Sequence, residues 1–204
     1  APRDLRELKY AALLHDFGKI GVREQVLVKA KKLYGHEREA VRLRIDFALK
    51  AAEAELLHAK LQRFERGAGG QDIVALELAY EQRRQHLLAA WGVIERADEP
   101  SVLSEGDFSA IAEIGAITFA NLNGDPCRLL SDSEMIALQI TRGSLSPKEI
   151  QEIRSHVVHT FNFLSKIPWG KTMERIPEIA RGHHEKLNGG GYPLGLISVA
   201  QRLQ

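Results

Sequence analysis

Residues 146–166 read Ser-Pro-Lys-Glu-Ile-Gln-Glu-Ile-Arg-Ser-His-Val-Val-His-Thr-Phe-Asn-Phe-Leu-Ser-Lys, and this stretch decides that the chain is helical. Ser146 can cap the free amides of a first turn, Pro147 suits the first helical position, and Glu149 sits at the third. Ile153, His156, Thr160 and Phe163 then recur at helical spacing. The pattern predicts a helix running to about Lys166, before Pro168, with an imidazole on its core side.

Toward the C-terminus a last helix is expected from near Pro177 to His183-His184-Glu185, with Ile176, Ile179 and Ala180 preceding His183 on its apolar side. The following Asn188-Gly189-Gly190-Gly191-Tyr192-Pro193 can only be a loop. At the other end, Leu5, Leu8, Ala12 and His15 mark one side of a first helix ending near Gly18. Residues 20–32 show no stripe. Two long stripes come next, Val41-Ile45-Leu49-Ala52-Leu56-Phe64 and Ile73-Leu76-Tyr80-Leu87-Trp91-Ile94, with Gly67 to Gly70 between them. They predict an antiparallel helical hairpin packed on the helical bundle of the same chain, although heptad-like spacing also allows a homodimer seam. Residues 100–142 are mixed, with a short helix expected through Phe108 to Leu122 and a turn at Asn123 to Pro126. No strand pattern or internal repeat stands out. The expected class is all-α.

Of the 204 residues, 44% are hydrophobic, enough for a core, and acids and bases are interspersed to a net charge of +1. That balance argues against a nucleic-acid-binding surface, which needs a basic field. No segment approaches the roughly 18 apolar residues of a membrane span. The single Cys127, read as a small loop residue, makes no internal disulfide, and with no secretory signal in view a reducing, cytoplasmic setting is expected.

Chemistry concentrates on histidine. His15 stands beside Asp16 with Lys19 three residues on, His156 lies on its helix stripe, and His183 and His184 end the last helix. Each alone reads as a hydrogen-bonded core histidine. Together, imidazoles brought in by three helices and joined by a carboxylate are how helical bundles build internal metal sites. Imidazole and carboxylate without thiolate suit Fe, Mn, Zn, Co or Ni rather than Ca or Mg. Two such ions can share a hydroxide aligned for attack on phosphorus, and Lys19 can add positive charge for the phosphoryl oxygens. His36, His58 and His86 sit among charged residues and read as surface groups, and His159 faces a neighbouring side of its helix.

At these residues the chain resembles the HD-GYP family. His15-Asp16-Phe17-Gly18-Lys19-Ile20-Gly21 is similar to its HDxGKIG signature, and His183-His184-Glu185-Lys186-Leu187-Asn188-Gly189-Gly190-Gly191-Tyr192-Pro193 to its HHExxDGxGYP signature. His156 falls where the family has its intermediate histidine. The resemblance covers roughly residues 4–34 and 143–204. It implies an HD-superfamily helical bundle split between residues 1–34 and 143–204, with 35–142 as a helical insertion of the kind one branch of the family carries. It further implies a phosphodiesterase that hydrolyses cyclic di-GMP to pGpG or GMP, or in some members cyclic GMP-AMP. Two or more divalent ions, Fe or Mn, are then expected. His15 is implied as a ligand of the first ion, Asp16 as a bridging ligand, and His156, His183 and His184 as ligands of the second. Lys19 is implied at the scissile phosphate. Gly189, Gly191, Tyr192 and Pro193 are implied to border the substrate pocket and, in some relatives, a surface for diguanylate cyclase (GGDEF) domains. An upstream sensory domain is a further implied partner.

Three departures qualify this. Asn188 replaces the family's aspartate. The family's upstream histidine and its downstream aspartate are expected outside these 204 residues, which leaves the first ion short of ligands and the second complete. A catalytically degenerate module that binds nucleotide or a partner protein is the alternative reading, and a general HD-superfamily phosphohydrolase a third, which the GYP loop disfavours.

Overall fold

A computed structural model describes residues 2–66, 70–101 and 104–197. In chain order the elements are α1 (Pro2–Leu14), a 3-10 turn (Phe17–Gly21), α2 (Glu24–Leu27), α3 (Gly35–Glu65), α4 (Gly70–Asp98), α5 (Glu105–Gly115), β1 (Thr118–Ala120), β2 (Pro126–Arg128), α6 (Asp132–Leu138), α7 (Pro147–Arg154), α8 (His156–Leu164) and α9 (Ile176–Arg181). The class is all-α, with one two-stranded hairpin added. No helix among the described residues is long and apolar enough to cross a membrane.

The chain forms two compact units, one of Ala1–Val28 with Pro147–Gln204 and one of Lys29–Ser146. In the first, α8 packs on the 3-10 turn and on α9, and α1 packs on α9. Its small core joins Ala11, Leu164, Ile176 and Ala180, with Leu14, Ile167, Trp169 and Met173 against it. The side of α1 that packs is one step round from the expected one. Glu7 and Ala11 are buried, whereas Leu5 and Leu8 stand exposed. The reason is Arg175, which donates from its backbone amide and its guanidinium to the Glu7 carboxylate and so draws a charged residue inward. The helix predicted through residue 166 is interrupted at Ser155. There the hydroxyl donates to the Glu152 carbonyl (2.7 Å), a side-chain bond that competes with the helical ladder. Phe163, expected on the core stripe, is exposed instead and stacks on Phe17 at 4.2 Å.

In the second unit α3 and α4 run antiparallel, tied along their length by Arg38–Glu95, Arg83–Glu55 and Lys60–Glu77. Val41, Ile45 and Ala48 meet Leu87, Ala90 and Ile94 in a core closed by Ile111, Ile114, Leu129, Leu130 and Leu138. No described residue between 53 and 86 is buried, because two helices alone cannot enclose a core; Phe64, expected on the packed stripe, is exposed. The glycine run at 67–69 lies outside the described residues. The helix expected over 108–122 is corrected: it ends at Gly115, and the β1–β2 hairpin follows, pairing Phe119 with Cys127. Asn121 decides this locally, its Oδ1 accepting from the amides of Asn123 and Asp125 to make the turn. Cys127 is therefore a half-buried strand residue rather than a loop residue.

Candidate metal centre

The site is built at helix ends. α1 stops at Leu14, so His15 and Asp16 occupy the turn after it; His156 opens α8; and His183 and His184 follow α9. A helix end leaves its last carbonyls without intrahelical partners. Three of these are taken by imidazoles, each reaching back three residues. His15 Nδ1 meets the Ala12 carbonyl at 2.7 Å, His156 Nδ1 the Ile153 carbonyl at 2.5 Å, and His183 Nδ1 the Ala180 carbonyl at 2.6 Å. A carbonyl only accepts, so each Nδ1 carries a proton, and it is on Nε2 that the neutral form of each ring presents its lone pair.

Those lone pairs converge. His156 Nε2 and His183 Nε2 lie 3.3 Å apart, His156 Nε2 is 3.4 Å from Asp16 Oδ1, His183 Nε2 is 3.9 Å from the same oxygen, and His15 Nε2 is 3.2 Å from Asp16 Oδ2. Two sets have ligand atoms within 4.8 Å of one another: His156, His183 and His184, and His15, Asp16 and His183. Acceptors facing acceptors at such distances repel unless a cation lies among them. A proton is disfavoured at His183 and His184, whose imidazoles burial holds below their ordinary range. The donor set therefore fits divalent metal.

Lys19 donates to Asp16 Oδ2 at 2.8 Å. Partial burial pushes the Asp16 carboxyl up, but the Lys19 hydrogen bond and the charges of His15, Lys19 and His156 outweigh it and hold it below the usual carboxylate range. The His-Asp turn is clamped to α8 by Thr160, a buried residue whose hydroxyl donates to the His15 carbonyl (2.9 Å) and accepts from the Gly18 amide (2.8 Å). Gly18 has no room for a side chain, since a Cβ would lie 2.0 Å from the His156 carbonyl oxygen. Thr160 lay on the sequence stripe with no role attached; only the fold shows its hydroxyl turned to the backbone of residues 15–18.

The glycine loop is held at its base by Glu185, which accepts from the amides of Leu194 (2.7 Å) and Leu196 (2.8 Å). Gly191 presses on the backbone of His184 to Lys186. Tyr192 lies against His184, their ring centres 4.6 Å apart. Gly189 has φ 75° and packs by Ile197, and Pro193 follows Tyr192 half-buried; neither joins the ligand cluster. Asn188 forms a turn in which its Oδ1 accepts from the Gly190 amide (3.0 Å). His159 bonds Ser155 and sits beside Gly21, apart from the cluster, while His36, His58 and His86 are exposed. A cavity of about 420 Å³ opens beside His15 and His183, walled by Leu8, Ala11, Ala12 and Ile179.

Residues 127–201 match the family model of the HD domain. The match supports placement in the HD superfamily, whose domains are typically metal-dependent phosphohydrolases. The matched HD-domain span takes in His156, His183, His184 and the glycine loop, while His15 and Asp16 precede it. No curated protein and no solved structure matches the chain.

Proposed function

We propose that the protein is a metal-dependent phosphodiesterase of the HD-GYP type that hydrolyses cyclic di-GMP. One observation carries the metal-dependent part: three imidazoles with their Nδ1 protons committed to backbone carbonyls aim Nε2 lone pairs at one another and at Asp16. The substrate class rests on the resemblance of residues 15–21 and 183–193 to the HD-GYP signatures. His156, His183 and His184 would hold one ion, and His15 and Asp16 would serve a second, with Asp16 between them. Bound divalent ions, Fe or Mn, supply a nucleophile at neutral pH and positive charge at the phosphoryl oxygens.

The chain's own contribution is orientation and charge. Thr160 and Gly18 fix the turn that carries Asp16. Asp16, held ionised by Lys19, presents carboxylate oxygens to both halves of the cluster. The Lys19 side chain is 44% exposed and leaves its ammonium open to a phosphoryl oxygen of the scissile group. Asn188 supports retained activity, because its side chain serves the turn through an acceptor oxygen that aspartate would supply equally.

Incubation of the full-length, metal-loaded protein with cyclic di-GMP and cyclic GMP-AMP tests the reading. Cleavage with Fe(II) or Mn(II), close to two equivalents of bound metal, and loss of turnover in Asp16→Ala are expected. Failure to cleave either dinucleotide with either metal would reject it. Partner binding that survives Asp16→Ala in a metal-free, inactive protein would favour a signalling module instead.

A further inference from the structure

Three of the four clustered imidazoles are locked by hydrogen bonds from Nδ1 to a carbonyl, and the fourth is not. His184 has no hydrogen bond to its ring among the described residues. A histidine χ2 torsion is broad, so an unlocked ring does not by itself aim Nε2 at an ion. The His156 and His183 rings meet His184 tilted, at 87° and 46° between planes. Its near-parallel neighbour is Tyr192, 17° from its plane with centres 4.6 Å apart. Tyr192 is itself held from two sides. Its amide donates to the His184 carbonyl (3.3 Å), and the Arg154 guanidinium lies over its ring, 5.1 Å from the centre. The bend that delivers the ring depends on Gly191, where a Cβ would come within 2.6 Å of the His184 carbonyl oxygen and still closer to the Lys186 amide nitrogen.

We infer that Tyr192, backed by Arg154, is a positioning residue whose ring face fixes the orientation of the His184 imidazole, as the backbone carbonyls do for the other three. The inference rests on the metal-centre reading for its purpose and on the stack alone for its geometry. The role belongs to the ring and not to the phenol hydroxyl. Removing a group that orients a metal ligand typically costs about 10–100-fold in metal affinity or activity.

The test uses the whole protein and the variants Tyr192→Phe, Tyr192→Leu and Arg154→Gln. In the metal-free state, NMR of the histidine ring protons reads the stack directly. His184 signals shifted by the Tyr192 ring are expected to persist in Tyr192→Phe, to weaken in Arg154→Gln, and to move to unstacked positions in Tyr192→Leu. Unchanged His15 signals and unchanged backbone amide signals outside the glycine loop report an intact fold. Titration with Mn(II) should show affinity reduced roughly tenfold in Tyr192→Leu and rescued in Tyr192→Phe. Wild-type His184 shifts and Mn(II) affinity in Tyr192→Leu overturn the inference, as does a Phe variant as impaired as the Leu variant. Should Tyr192→Leu not fold, unaltered His184 shifts and Mn(II) affinity in Arg154→Gln would overturn the part assigned to Arg154, and full rescue in Tyr192→Phe would still assign the role to the ring. Should wild-type protein bind no Mn(II) while the ring shifts follow the variants as expected, the stack is upheld and the metal-centre reading is what fails.

Discussion

Burial holds His183 below its ordinary imidazole range; the Ala180 carbonyl opposes this, and His15 and His156 add to it. His184 is lowered by burial and then by His183 and His156. A folded state whose histidines titrate lower binds fewer protons than the unfolded chain as pH falls through the ordinary imidazole range, about 6.5, so stability is lost there. Metal-free protein is therefore expected to melt progressively lower between about pH 7 and pH 5. His183→Asn should flatten that slope, and an unchanged slope would count against the buried neutral ring. Asp16, lowered by its neighbours, acts in a separate and more acidic window: its contribution is present above the ordinary carboxylate value of about 3.9 and is lost below it. Thr160 offers a second check. Thr160→Val removes a donor and an acceptor from a buried position, and a loss of about 2 kcal/mol in urea unfolding is expected. At this scale the identities of His15, Asp16, Lys19, His156, His183 and His184 were legible, because residue type and order are in the sequence. The Nδ1 locks and the Thr160 clamp were not, since they depend on which carbonyls a helix end leaves free.

Helix ends carry most of the information at the next scale. α6 starts with a reciprocal cap, Glu134 accepting from the Ser131 amide (2.7 Å) and Ser131 Oγ accepting from the Glu134 amide (3.3 Å), while Arg44 on α3 donates to both Glu134 oxygens at 2.6 Å. The join between α4 and α3 is less settled. Asp98 accepts from the Leu33 amide (2.7 Å), but its other oxygen and the Lys32 ammonium are buried without hydrogen-bond partners. Burial pushes the Lys32 ammonium down against the pull of Asp98 and Asp107, and burial pushes the Asp98 carboxyl up. A buried unpaired polar group costs about 1–3 kcal/mol, and an apolar chain of similar length avoids that cost. Lys32→Met is expected to raise the unfolding midpoint by about 1 kcal/mol in stability. A marked fall instead would show that the ammonium is paired in solution. Propensity alone did not foresee the break at Ser155 or the strand after Gly115, because in both places a Ser or Asn side chain takes over backbone hydrogen bonds.

Across the whole molecule, the two compact units differ in how their chain is assembled. Lys29–Ser146 is continuous and holds its own core of Leu33, Val41, Ile45, Leu87, Ile94, Leu129 and Leu138. A protein of residues 29–146 is expected to fold alone, giving a helical circular dichroism spectrum and a cooperative melt; a gradual, non-cooperative melt would deny it that independence. The other unit is drawn from both ends of the chain, and its ligand cluster exists only when residues 15–16 meet 156 and 183–184. By itself the sequence determined the helical class, since apolar spacing is a local property that each segment carries with it. It likewise determined which side chains could bind metal. Tertiary structure alone decided that α1 buries Glu7 rather than Leu8, that orphaned carbonyls turn three Nε2 atoms inward, and that Tyr192 faces His184. The first depends on Arg175, 168 residues from Glu7 along the chain, and no local pattern encodes a contact of that range. The locks and the stack join near neighbours, but only where a helix stops or the glycine loop bends does the folded chain bring them face to face.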